Sequence, residues 1–275
     1  MERVVADNGV EYYRSRLIPV VHGFSTRSGG VSKHSHTESL NLGFGRGDSD
    51  DIVIKNLVRF ADALGIDPEG VISVTQIHSS KIRYVTEKDR GEGFFRTETE
   101  SCDGYITDSD RLTLGVRTAD CVPILFYAPP CDSFRGAVAA VHAGWRGTAL
   151  GIVREAVHQL INRGADVAEL RVAIGPAIGK CCYCVRKDFY DSFCRSAGKV
   201  LTNKYVTPVR EDIWVADLKG ANREILIECG ISPENIDVCD LCTCCEPTKF
   251  YSHRYSKGVR GTMLSVITMK KQEKR

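Results

Sequence analysis

An α+β fold is what the sequence predicts, on two observations. Strand-like runs outnumber helical ones, and several strands follow one another directly where a doubly wound fold would alternate strictly. Four helices are readable. Residues 51–64 set Val53, Leu57, Phe60 and Leu64 on one face, with Asp50 or Asp51 as N-cap and Gly65 as the stop. Residues 147–163 repeat the pattern with Leu150, Val153, Val157, Leu160 and Ile161 before Gly164. Residues 217–229 do so with Leu218, Ala221, Ile225 and Cys229 before Gly230, and a shorter helix is expected over 186–196. Strands are expected at 71–77, 81–85, 112–116, 123–127, 137–141, 170–174 and 263–268, each short and rich in Val, Ile, Leu or Tyr. The stretches 25–39 and 91–100 read as flexible loops, and 270–275 as a frayed charged tail. No repeat, low-complexity block or linker divides the chain, so residues 1–275 are expected to form one domain.

Composition narrows the function. With 43% hydrophobic and 26% charged residues, the chain has the make-up of a folded globular protein, which excludes a disordered one. Lys and Arg total 37 against 35 Asp and Glu, so a net charge of +2 gives no field for nucleic acid or anionic membrane. The first residues, Met1-Glu2-Arg3-Val4-Val5-Ala6-Asp7, lack the apolar run of a signal peptide, and no apolar stretch reaches the ~18 residues of a membrane span. A cytoplasmic location follows as the expectation. There the 12 cysteines would be reduced, leaving metal ligation, a reactive thiol or simple burial as their uses.

Three potential ligands end or follow apolar strand runs: His78 after 71–77, Cys121 after 114–120, and His142 after 137–141. Two imidazoles and a thiolate suit Zn²⁺ and would leave a fourth position open for water or substrate. Their spacing carries no local motif, so three unrelated partly buried residues remain the alternative. The segment His142-Ala143-Gly144-Trp145-Arg146-Gly147 adds glycines that admit close backbone approach, an expected helix start and the Arg146 fork, a combination that favours phosphate or another anion. An ordinary strand-to-helix turn with a surface Arg reads equally well. The loop 24–32 offers hydroxyls, glycines and Arg27, and His34-x-His36 lies just beyond it; both also read as solvated loop.

Two cysteine clusters, Cys181-Cys182-Tyr183-Cys184 and Cys239-x-x-Cys242-x-Cys244-Cys245, could each clip a structural zinc or be reduced thiols packed around a loop. The zinc nucleobase-deaminase signature fails. His36-Thr37-Glu38 supplies H-x-E, but Pro130-Cys131 has no second Cys at the required spacing.

Taken in order, 22–32, Ser39-Leu-Asn-Leu-Gly43, Thr75-Gln-Ile-His78, Thr118-Ala-Asp-Cys121, 141–147, Gly175-Pro-Ala-Ile178 and Phe250-Tyr-Ser-His-Arg254 resemble the polyphenol oxidase/laccase-domain family, read as purine nucleoside phosphorylases. The resemblance runs from about Val20 to about Thr268. It implies a compact fold of helices flanking packed mixed β-sheets, α/β/β/α-like, with zinc on His78, Cys121 and His142. It implies phosphorolysis of adenosine, inosine and S-methyl-5′-thioadenosine to free base and the sugar 1-phosphate, with adenosine deamination as a second activity. Purine nucleoside and phosphate are then the partners. Arg27, Arg46, Arg146 and His253 are the candidate substrate-binding residues, with His253 or Asp120 handling protons.

The chain departs from the family pattern at three places. Cys184 stands where many members carry Glu, Leu57 where Arg is common, and Arg260-Gly261-Thr262 reverses the usual Thr-Gly-Arg, which moves or removes an Arg from the site. Two other activities compete. A copper-dependent polyphenol oxidase is disfavoured because His34/His36 is the only His-x-His pair among seven histidines. A thiol or zinc hydrolase editing peptidoglycan precursors would use Cys121 as nucleophile and His142 as its base.

Overall fold

In the computed structural model, which describes residues 1–271, strands numbered along the chain form three sheets. The first runs, edge to edge, β1 (Glu2–Val5), β2 (Glu11–Arg14), β3 (Val20–Ser25), β15 (Met263–Lys271), β7 (Thr113–Thr118) and β4 (Val71–Ile72). The second runs β14 (Ile236–Val238), β10 (Arg171–Ile174), β8 (Val122–Ala128), β9 (Ala137–Ala143), β6 (Gly104–Thr107) and β5 (Ile82–Tyr84). Both are mixed: β4–β7, β10–β14 and β5–β6 pair in parallel, the rest antiparallel. A small third sheet orders β11 (Cys184–Arg186), β13 (Ile213–Ala216) and β12 (Val206–Arg210). The helices are α1 (Asp50–Leu64), α2 (Trp145–Ala149), α3 (Ile152–Asn162), α4 (Lys187–Ala197), α5 (Lys199–Tyr205) and α6 (Leu218–Glu228).

The side-chain alternation of β8 shows how the layers stack. Ile124 and Phe126 point one way, into a core with Ile152, Val153, Val157 and Leu160 of α3 and Ile225 and Leu226 of α6. Leu125 and Tyr127 point the other way, against Ile72, Leu114, Val116 and Ile267 of the first sheet. The far face of that sheet, with Val21, Leu264 and Val266, is covered by Leu57, Phe60 and Leu64 of α1. The order is therefore helix, sheet, sheet, helices. Central strands buried on both faces explain why 122–128 and 137–143 read as unbroken apolar runs.

Several sequence expectations change. The helix expected over 147–163 is two helices, parted where Gly151 adopts the left-handed φ of 75°, and Leu150, counted into the apolar face, is 55% exposed. The strand expected over 71–77 pairs only at Val71–Ile72. Beyond that its backbone bonds outside any ladder, with Ser73 N donating to Glu92 O at 3.0 Å and Val74 N to the Tyr105 hydroxyl at 2.7 Å. Gln76 mimics a ladder rung: its amide donates to Arg117 O (2.8 Å) and accepts from Arg117 N (2.7 Å). β1, β2, β3, β6, β11 to β14 and α5 were not foreseen. Of the expected tail, Lys270 and Lys271 close β15, and 272–275 lie outside the described residues. No helix among the described residues is long and apolar enough to cross a membrane.

Candidate active site

Two crossings between the sheets and one strand end build the site. His78 sits in the turn from β4 to β5 and Cys121 in the turn from β7 to β8, each turn carrying the chain from the first sheet to the second; His142 sits near the end of β9. Both turns are sharp. His78 has φ 57° and Asp120, just before Cys121, φ 95°, left-handed values that non-glycine residues hold only under tertiary constraint. The constraint on Asp120 is visible, since its carboxylate accepts from the Thr243 hydroxyl and from Arg254 N, both at 2.6 Å.

The three donor atoms lie within 4.8 Å of one another, with Cys121 Sγ 3.9 Å from His78 Nε2. Tetrahedral zinc with one sulfur and two nitrogen ligands would set S and N about 3.5 Å apart, so the donor set fits such an ion with small adjustment. Gly144 makes room for this approach. A Cβ there would fall 2.8 Å from His78 Cδ2 and 3.3 Å from Cys121 Sγ.

Asp103, fully buried before β6, is the residue that sequence reasoning missed. Its Oδ1 accepts from His142 Nδ1 at 2.8 Å and from His78 N at 3.0 Å, and its Oδ2 from Ser79 N and the Ser79 hydroxyl at 2.6 and 2.7 Å. One carboxylate therefore orients both histidines and frees His142 Nε2 to face the thiol, the arrangement that metal-ligating imidazoles commonly show. A signal existed: an Asp beside the short run Gly104-Tyr105-Ile106, directly after Cys102.

The electrostatics agree. Burial would raise the Cys121 thiol, but His142 and His78 outweigh it and bring it down to about 6. Burial would lower His142, yet Cys121 and Asp103 raise it to about 9. Thiolate and imidazolium stabilise each other within the cluster, and the thiolate is the form a metal takes.

A cleft of about 370 Å³ opens over these residues, lined also by Phe44, Arg46, Gln76, Glu98, Arg117 and Arg260. Arg117 lies on the rings of Phe94 (4.4 Å) and Phe44 (5.6 Å) and gives one bond to Gly93 O. Arg260 donates to Thr262 Oγ1 at 2.9 Å. Among the described residues the Nε atoms of both are buried without a partner, and burial lowers both guanidinium groups to about 10. Buried donors of this kind are satisfied by an anion. Arg117 was also foreseeable as a site residue, being a charge within an apolar strand four residues before Cys121.

Of the other sequence candidates, Arg46 lines the cleft. His253 stands near Arg260 and Arg46; partial burial, then Arg260, hold its imidazole below the ordinary value. Arg27 instead donates to the carbonyls of Glu38 and Pro247 at 2.7 and 2.8 Å and lies on the Tyr251 ring, fastening the loop expected to be flexible. Arg146 lies over Trp145 in a neighbouring groove with Tyr183, Arg186, Arg195 and Arg254. The helix expected to present an anion site beside it, α2, is only five residues long. Asp120 is spent on Thr243 and Arg254. Arg260 and Thr262 both line the cleft, so the reversed motif moves its arginine and keeps it. Leu57 is core, and Cys184 opens the groove that holds Arg146. A wider cavity of about 970 Å³ lies elsewhere, between Pro19, Asp108, Tyr127 and Met269, away from all of these groups.

The chain is 37% identical over 254 residues to the purine nucleoside phosphorylase YlmD of Bacillus subtilis, covering 91% of this chain and 89% of that protein. It is 31% identical over 242 residues to the adenosine deaminase RL5 of an unknown prokaryotic organism, covering 87% and 90%. The crystal structure of YlmD from Geobacillus stearothermophilus superposes with a TM-score of 0.84 at 35% identity, covering 94% of this chain and 96% of that one. Residues 21–270 match the family described as multi-copper polyphenol oxidoreductase laccase, and the chain belongs to that family.

Proposed function

We propose that the protein is a zinc-dependent purine nucleoside phosphorylase that takes adenosine, inosine and S-methyl-5′-thioadenosine to free base and sugar 1-phosphate, with adenosine deamination as a second activity. One observation carries the reading: a His, Cys and His ligand set shares a small cleft with Arg46, Arg117 and Arg260. The activities of the named relatives support it.

His78, Cys121 and His142 would hold the ion, and zinc bound there supplies a Lewis acid that lowers the pKa of water toward neutrality. Arg117 and Arg260 bind phosphate and hold it where the sugar carbon becomes electron-poor. Arg46 closes the same side. His253, whose basicity partial burial and Arg260 reduce, is the group that passes a proton at the purine as the glycosidic bond breaks. The test is base release from adenosine and inosine with and without phosphate. Phosphate dependence is the expected result, and equal rates without it would make the enzyme a hydrolase.

The chain Asp103, His142, Cys121 favours a second reading, thiol-based amide hydrolysis with Cys121 as nucleophile and His142 as base. It predicts turnover that survives chelation and is abolished by alkylation of Cys121. Loss of all activity on chelation removes it.

A further inference from the structure

Four cysteines that the reaction does not use meet about a single point. Cys181 and Cys182 lie in the turn between β10 and β11, and Cys242 and Cys245 in the turn after β14. Their sulfur atoms all lie within 4.8 Å of one another, with Cys245 Sγ 3.5 Å from that of Cys181 and 3.3 Å from that of Cys182. All four are free thiols. A tetrahedron of thiolates around zinc, at about 2.3 Å from the ion, spaces its sulfurs about 3.8 Å apart. The observed cluster brackets that spacing and lies well beyond the ~2.05 Å of a disulfide bond.

Sequence alone could not pick these four out of seven. The fold excludes the other three: Cys184 turns into the groove with Arg146, while Cys239 and Cys244 stand outside the converging set. What remains is a vicinal pair and a Cys-x-x-Cys turn, brought together from about 60 residues apart in the chain. The turn has the backbone of a ligating loop. Gly179 N donates to Cys242 Sγ at 3.1 Å, and Glu246 N closes the turn on Cys242 O at 3.1 Å. Gly179 also provides clearance, because a Cβ there would lie 3.2 Å from Cys181 Sγ and 3.3 Å from Cys242 Cβ.

We infer that Cys181, Cys182, Cys242 and Cys245 form a tetrathiolate site for a single structural zinc ion, separate from the His78, Cys121 and His142 set. Four thiolates leave no open position, so the ion is a fastener and not a reaction centre. It ties together two turns that already share the Thr243 N bond to Ala177 O. What it fastens is the back of the active site. Thr243, inside the Cys-x-x-Cys turn, donates to Asp120, and Arg254 bonds both Asp120 and the carbonyls of Cys182 and Cys184 at 3.0 and 2.9 Å.

The test is metal analysis of the full chain purified under reducing conditions, by mass spectrometry of the metal content. Two zinc ions per chain are expected, one for each group of converging ligands. His78→Ala should retain one, and the double variant Cys242→Ser/Cys245→Ser should retain the other. Cobalt substitution in the His78→Ala background should give an intense thiolate-to-metal absorption that is lost when Cys242→Ser/Cys245→Ser is added to that background. If the double variant does not fold, zinc X-ray absorption of the His78→Ala protein reads the same site, with an all-sulfur shell expected. Zinc absent from His78→Ala protein, iron in its place, or a Cys182–Cys245 disulfide in freshly purified protein would each overturn the inference. None of these readouts depends on nucleoside turnover, so failure of the proposed reaction would leave the result standing.

Discussion

Asp103 Oδ1 accepts from His142 Nδ1 at 2.8 Å while the same oxygen accepts from the backbone N–H of His78 at 3.0 Å. One buried carboxylate thereby sets the tautomer of one imidazole and the position of the other. Replacing it by Asn leaves an amide N–H₂ facing groups that donate. Metal affinity of Asp103→Asn is expected to fall about 10–100-fold, the usual cost of losing such a partner. Competition against a chelator measures it, and unchanged affinity would show that Asp103 serves the fold alone.

Arg260 lines the cleft, and its buried Nε has no partner among the described residues. Arg260→Ala should raise the KM for phosphate about 10–100-fold, the worth of one charge-assisted hydrogen bond at about 1.5–3 kcal/mol. Adenosine deamination consumes no phosphate and should keep its rate within a few-fold. Equal losses in both reactions would place Arg260 on the nucleoside and not on the anion.

Gly144 leaves room for two ligands at once. In Gly144→Ala the new methyl group meets His78 and Cys121, and both positions must shift. Activity and metal occupancy should drop together while thermal stability changes little, because the N-cap preference between Gly and Ala is worth only about 1 kcal/mol or less. Full metal occupancy in this variant would show that the turn relaxes freely.

His22 makes the acid limb of stability predictable. It is fully buried; its Nε2 accepts from Ser15 N at 2.9 Å and its Nδ1 donates to Val20 O at 2.8 Å, which requires the neutral ring. Burial lowers its pKa from 6.5 to about 4. Between those values the unfolded chain binds the proton and the folded chain does not, so stability is intact above about 6.5 and declines as pH falls toward 4. The loss is about 3 kcal/mol at most. Denaturant unfolding of His22→Gln across this window should show a flatter dependence, by about one proton. An unchanged slope would assign the acid limb to other groups.

That His78, Cys121 and His142 each end or follow an apolar run marked them as candidates, since strand ends are where such folds gather chemistry. Their spacing left three unrelated residues open, and only the family resemblance grouped them as a ligand set. The layer order was readable through the family resemblance, and the pattern alone gave only the α+β class. What escaped was whatever depends on contacts across the chain. Asp103 acts 25 residues from the backbone it supports and 39 from the ring it orients. Residues 71–77 read as one strand, yet past Ile72 the Tyr105 hydroxyl, the Gln76 amide and the backbone of Glu92 and Cys102 replace a ladder. Short strands such as β11 to β14 have too few residues for a period to show. Arg27 and Arg146 have the residue type of anion binders, and their partners, the carbonyls of Glu38 and Pro247 and the ring of Trp145, are fixed only once the loops are folded.

β15 lies at the centre of its sheet, hydrogen-bonded to β3 on one side and β7 on the other, although it is the last strand along the described chain. A ribosome delivers β3 and β7 long before it. The second sheet has all its strands once Val238 has emerged, whereas the first holds two unpaired edges until Met263–Lys271 follow. Cys121 hangs from β7 and His142 from β9, so the two sheets must close on each other before the ligands converge. An ion held by these three groups would therefore be captured late in the life of the new chain. The four-cysteine cluster, complete at Cys245, is in place before the strand that closes the first sheet.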